Sequence, residues 1–165
     1  MTTPAPTFRF FVAHPAHVIA LGFGTGLSPW APGTVATLFA IPLGDWLNAR
    51  TTDAGYLVVV ALMFAVGAWA SGRTGRDLGV ADHGGIVIDE IAAFLLVMFF
   101  VGTSLERVAL GFLLFRLFDI VKPPPIRAID ARMKNGVGVM LDDLLAAAMA
   151  LVAFAIVVRL TGWPA

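Results

Sequence analysis

Five apolar segments punctuated by polar linkers constrain this chain more than any other feature. They cover residues 34–47, 55–70, 86–101, 107–121 and 144–160. A helix that crosses the hydrocarbon core needs roughly 17–25 residues, so several of these runs are short. All five read as helices, because irregular backbone in lipid leaves its polar groups unsatisfied. The first, interrupted by Pro42 and Asp45, suits a half-buried or re-entrant helix as well as a crossing. Small residues at Ala146, Ala147, Ala148, Ala150 and Ala153 favour close helix packing in the fifth. The expected fold is therefore all-α: one domain, residues 1–165, built as a polytopic membrane bundle of four to five apolar helices.

Composition agrees. Hydrophobic residues make up 59% of the 165 and charged residues 13%, against roughly 45–50% and 25% in an ordinary soluble domain. The formal net charge is zero, so nucleic acid is not an expected partner. The absence of Cys excludes disulfides, a thiolate nucleophile and thiolate-bound zinc. Prolines and histidines interrupt the N-terminus, MTTPAPTFRFFVAHPAH, where a signal peptide needs an apolar core. It is expected to be retained, with FRFFV at the interface.

The linkers are unequal. GFGTGLSPWAPGT (22–34), GRTGRDLGVADHGG (72–85) and KPPPIRAIDARMKNGVGVM (122–140) are long, and the other two are short. If five helices alternate, the three long linkers share one membrane face, as a composite site requires. That side carries Arg9, Arg73, Arg76, Lys122, Arg127, Arg132 and Lys134; the other carries Arg50, Arg107 and Arg159. The positive-inside rule then places the long linkers in the cytoplasm.

Charged residues gather in four places. Asp89 and Glu90 follow DHGG at the start of the third apolar segment. Acids there could simply complement a helix N-terminus, but two of them behind Ile86, Val87 and Ile88 suit a functional role better, given the cost of charge in lipid. Arg116 and Asp119 lie three residues apart on one helix face, with Lys122 three further on; an intrahelical ion pair is a close rival to an anion-binding stripe. The prolines of KPPPIR end that helix and stiffen the exit, presenting Lys122 and Arg127 on a rigid frame. Asp142 and Asp143 open the last segment. Two carboxylates about 4 Å apart repel by about 4 kcal/mol at an effective dielectric near 20, which a divalent cation relieves. With Asp89 and Glu90, these hard oxygen donors favour Mg²⁺, Mn²⁺ or Ca²⁺ over zinc, although a helix cap accounts for one Asp well. The glycines of GFGTG, with the hydroxyls of Ser28 and Thr34, offer a weak anion-site signal at a helix start. His83 is a candidate base or phosphate ligand, although a lone loop histidine is more often neither.

Three of these stretches, GFGTGLSPWAPGT (22–34), DHGGIVIDE (82–90) and FRLFDIVKPPPIRAIDARMKNGVGVMLDD (115–143), together resemble the phosphatidylglycerophosphatase A family. The resemblance implies a Mg²⁺-dependent phosphatase of the bacterial inner membrane, multi-pass and with its site facing the cytoplasm. Its substrate would be a phospholipid: it would convert phosphatidylglycerophosphate to phosphatidylglycerol and inorganic phosphate. The family's acidic positions map onto Asp89, Glu90, Asp119, Asp130, Asp142 and Asp143, and its basic ones onto Arg116, Lys122 and Arg127. Asp89, Glu90, Asp142 and Asp143 are the expected metal ligands and, with Asp119, the expected catalytic residues. Arg116, Lys122, Arg127, Ser28, Thr34, His83 and Asp130 are the expected substrate contacts. Metal-assisted attack by water and an aspartyl-phosphate on Asp119 both remain open. The rival class is a non-catalytic transporter or ion-binding scaffold whose intramembrane charges line a pathway. Oligomeric state is not legible.

Overall fold

The computed structural model describes residues 5–163, with the side chains of Pro125 and Asp130 outside the description. The described residues are helical and contain no strand. Two short helices, α1 (Phe8–Val12) and α2 (Pro15–Ala20), and a 3₁₀ stretch (Gly22–Leu27) lead into α3 (Pro32–Arg50). There follow α4 (Asp53–Leu78), α5 (Ile88–Val101), α6 (Leu105–Val121), α7 (Pro124–Arg132) and α8 (Gly136–Thr161). Each apolar segment marked in the sequence falls on one of α3, α4, α5, α6 and α8, the third starting two residues before α5. Among the described residues only α4 and α8, of 26 residues each, are long and apolar enough to cross a membrane.

These helices differ from expectation in three places. Helix α3 runs through Pro42 without interruption for 19 residues; Pro42 removes one backbone hydrogen bond, which packing against α5 tolerates. The GRTGRDL stretch is not linker but the last turns of α4, which stops at Gly79 in the left-handed conformation (φ 72°). The GVGVM stretch is the start of α8: Asn135 caps it, its Oδ1 accepting from the Gly138 amide at 2.9 Å. Its glycines are there for contact, since a Cβ on Gly136 would overlap the Ala68 carbonyl and one on Gly138 the Met133 carbonyl.

Helix α5 is the hub. It packs against α3, α4, α6 and α8, and its sequence, IDEIAAFLLVMFFV, is apolar nearly all round, as a fully enclosed helix must be. Phe94 meets Phe112 edge-on at 5.9 Å and Phe115 at 5.7 Å. Tyr56 Oη donates to the Leu95 carbonyl at 3.0 Å. Gly44 and Gly67 allow Met98 and Met140 to press against the backbones of α3 and α4. The outer faces are also apolar. Leu38, Phe39 and Trp46 on α3, Val58 and Leu62 on α4, Leu113 and Leu117 on α6, and Val152 and Ile156 on α8 are all exposed. Apolar surface spread over four helices is a liability in water and a requirement in lipid.

Candidate active site

The three long linkers meet at one end of the bundle. The DHGG loop is tied by the Ile86 amide donating to the His83 carbonyl (2.7 Å), and the Val87 amide reaches the Ala20 carbonyl at the end of α2 (2.8 Å). Gly26 packs so closely on Gly85 that a Cβ would overlap the Gly85 carbonyl. This docking sets the start of α5, and hence Asp89 and Glu90 in its first turn.

Asp89 is 6% exposed and Glu90 slightly more. Neither caps the helix in the usual way: the N-cap is Val87, without a side-chain hydrogen bond. From α6, Arg116 Nη1 donates to Asp119 Oδ2 at 2.5 Å and lies 3.8 Å from Glu90 Oε1. The intrahelical pair is therefore real, but Arg116 also bridges to α5. From α8, Asp142 and Asp143 are each 3% exposed. They sit in the second turn, past the first, so the helix-cap explanation fails for both. Lys122 does not extend the Arg116–Asp119 stripe into the loop. It ends α6 in the left-handed conformation (φ 44°, ψ 70°) and its Nζ reaches Asp142 Oδ2 at 2.5 Å. Left-handed backbone at a non-Gly residue costs of order 1–3 kcal/mol and gathers at functional sites. Two other such residues, Phe23 and Ala31, border this same end of the bundle.

Asp89, Asp142 and Asp143 bring carboxylate oxygens within 4.8 Å of one another, and so do Glu90, Asp119 and Asp143. Asp89 Oδ1, Glu90 Oε2, Asp143 Oδ2 and the Arg116 Nε–H are buried without a hydrogen-bond partner among the described residues. Buried polar atoms of this kind are rare in a finished core and point to a missing partner. A donor set made only of carboxylate oxygens fits a hard divalent cation.

The family model for phosphatidylglycerophosphatase A matches residues 18–158. The chain belongs to the phosphatidylglycerophosphatase A family. A Haemophilus influenzae phosphatidylglycerophosphatase A is 40% identical over 158 residues, covering 94% of this chain and 97% of the relative. An Escherichia coli phosphatidylglycerophosphatase A is 40% identical over 139 residues, covering 84% of this chain and 80% of the relative. No solved structure matches. As a member of that family the chain is a phosphatase, and the scaffold reading is set aside.

Within this phosphatidylglycerophosphatase A fold, not every expected contact joins the cluster. Asp89, Glu90, Arg116, Asp119, Lys122, Asp142 and Asp143 converge. Ser28 does not: its Oγ donates to the Trp30 carbonyl at 2.8 Å and closes its own turn. Thr34, half-buried, follows Gly33 in the first turn of α3. His83 Nδ1 accepts from the Gly85 amide at 3.0 Å, a contact that shapes the loop and leaves Nε2 buried without a hydrogen-bond partner among the described residues. Arg127 is exposed on α7 and takes part in no ion pair with a described residue. The Asp130 side chain lies outside the described residues. The prolines do end α6, but Pro124 also opens α7 at its first position, where a missing N–H is harmless. Two residues escaped the sequence reading. A Cβ on Gly33 would overlap the Glu90 carboxylate and come within 3.2 Å of Arg116 Nη1. A glycine in the first turn of a helix, where nothing demands left-handed backbone, was the available signal. His17 is buried and ties the N-terminal helices to α4 through Phe10 O and Asp77 Oδ2, both at 2.9 Å.

Proposed function

We propose that this chain is a multi-pass protein of the bacterial inner membrane that hydrolyses the terminal phosphomonoester of phosphatidylglycerophosphate. Its products are phosphatidylglycerol and inorganic phosphate, its cofactor is Mg²⁺, and its site faces the cytoplasm. The observation that carries the reading is the cluster itself. Five carboxylates from α5, α6 and α8 meet Arg116 and Lys122 at one end of an apolar bundle, with unpartnered oxygens left among them. Asp89, Glu90, Asp142 and Asp143 would hold Mg²⁺. Bound there, Mg²⁺ supplies a more acidic water and offsets phosphate charge.

The chain's own residues do the rest. Arg116, held between Glu90 and Asp119, keeps a free Nε–H donor for a phosphate oxygen. Lys122 orients Asp142. Arg127, exposed beyond the prolines, would meet the internal diester while the acyl chains stay in lipid. Binding energy from the diester and chains then favours the lipid over a small monoester. In detergent the purified protein is expected to release phosphate from phosphatidylglycerophosphate far faster than from glycerol 3-phosphate or p-nitrophenyl phosphate. Arg127→Ala should slow the lipid reaction more than the others. Equal rates on all three would remove lipid selectivity, and no release from any would overturn the activity.

Orientation has its own test. Arg76 and Asn135 line one cavity of about 450 Å³ between the end of α4 and the start of α8. Cysteines placed at both positions should react with an impermeant thiol reagent from the cytoplasmic side, and one at Asp53 from the opposite side. The chain has no native Cys to confuse the readout. Labelling of Arg76 and Asn135 from opposite faces would refute the composite site.

A further inference from the structure

The acids of the cluster sort into two equivalent halves. One is Asp89, Asp142 and Asp143; the other is Glu90, Asp119 and Asp143. Each half takes one acid from the first turn of α5 and one acid already paired with a cation. Asp142 Oδ2 accepts from Lys122 Nζ in the first half, and Asp119 Oδ2 from Arg116 Nη1 in the second. Each half also keeps a buried oxygen of its own without a partner, Asp89 Oδ1 in one and Glu90 Oε2 in the other. Asp143, whose Oδ2 is likewise unpartnered, is common to both. Consecutive residues on a helix diverge by about 100°, so Asp89 and Glu90 cannot serve a single point equally. Two points of binding explain why two acids stand side by side there.

We infer that the site takes two divalent cations bridged by Asp143, one held by Asp89 and Asp142 and the other by Glu90 and Asp119. The inference rests on the metal-assisted reading above. It adds the second ion, and it makes Asp119 a metal ligand. Charge supports it. Fully ionised, the five carboxylates exceed Arg116 and Lys122 by three negative charges. One divalent cation leaves the site negative, which repels a phosphomonoester dianion; two make it positive by one. Two-metal phosphatase sites hold their ions about 3.5–4 Å apart, a separation that the two oxygens of one carboxylate can bridge. Three protein oxygens per ion leave open positions for water and phosphate oxygens on a six-coordinate cation.

Titration of the purified full-length protein in detergent with Mn²⁺ tests this without reference to turnover. Two Mn²⁺ per chain are expected, with an electron paramagnetic resonance spectrum of an exchange-coupled pair. Asp89→Asn and Glu90→Gln should each hold one Mn²⁺ and give the spectrum of an isolated ion. Asp119→Asn reports on the same position as Glu90→Gln and serves if that variant misfolds. One Mn²⁺ per wild-type chain at saturation would overturn the pair, as would loss of all binding in both the Asp89 and the Glu90 variants. One Mn²⁺ in a chain that still hydrolyses the lipid overturns the pair and leaves the proposed function. Two coupled Mn²⁺ in a chain inert towards the lipid uphold the pair and overturn the function.

Discussion

Asp143→Asn is expected to cut phosphate release from the lipid by roughly 10²–10³-fold, the scale on which single electrostatic groups act in preorganised sites. The side chain is 3% exposed, has an oxygen without a hydrogen-bond partner, and belongs to both carboxylate groups. The same change takes one ionisable acid out of a crowded, buried set of carboxyls. In chelator the variant should therefore melt no lower than the parent, and higher if repulsion dominates. Loss of activity with gain of metal-free stability separates a functional acid from a structural one. Melting curves in detergent with EDTA, beside phosphate-release rates with Mg²⁺, measure both. Full activity in Asp143→Asn, or in the parent with excess EDTA, would refute the metal-assisted reading.

Gly33→Ala is the second large effect. The new methyl would overlap the Glu90 carboxylate and crowd Arg116. The obstructing atoms are the far end of a flexible side chain, so Glu90 can swing aside at little cost in stability. Function is less forgiving, because displacement of a catalytic group by about 1 Å can cost about 10²-fold. The expected result is a melting temperature close to the parent's with phosphate release down by about two orders of magnitude. Gly33→Ser should behave alike, and Gly55→Ala, half-buried in the first turn of α4 and away from the cluster, should leave phosphate release unchanged. Parental rates in Gly33→Ala would show that Glu90 has no fixed position to defend.

What could be read from the chain divides along a physical line. Apolar runs report their own secondary structure, so each of the five long helices was visible in the order in which it occurs. Neighbours on one helix were visible as well: Arg116 and Asp119 pair at the spacing that predicts it. Helix ends were harder. Gly136 and Gly138 look like loop residues until Ala68 and Met133 are seen pressing on them, and that contact moves Asp142 and Asp143 from a cap to a helix interior. Contacts between elements were hidden altogether. Lys122 meets Asp142, 20 residues away, only because its backbone turns left-handed at the end of α6. The turn that Ser28 closes was hidden too, since a hydroxyl in a Gly- and Pro-rich stretch serves its own turn as readily as a ligand.

Helix α8 contacts α4, α5, α6 and α7 and delivers Asp142 and Asp143. The consequence is one of timing in synthesis. Asp89, Glu90, Arg116 and Asp119 all leave the ribosome before the acids that complete the cluster, and α5 is made before α8 exists to enclose it. A charge standing alone in lipid costs roughly 2.5–3.5 kcal/mol on insertion scales. In a chain inserted as proposed, α6, the partner of α5 across the short turn after Val101, is the neighbour that can shield it until the last helix arrives. A nascent chain that stops short of residue 143 has every cation of the cluster but lacks the acid common to both of its halves. Under the proposed function, catalytic competence comes only with the closing of the bundle.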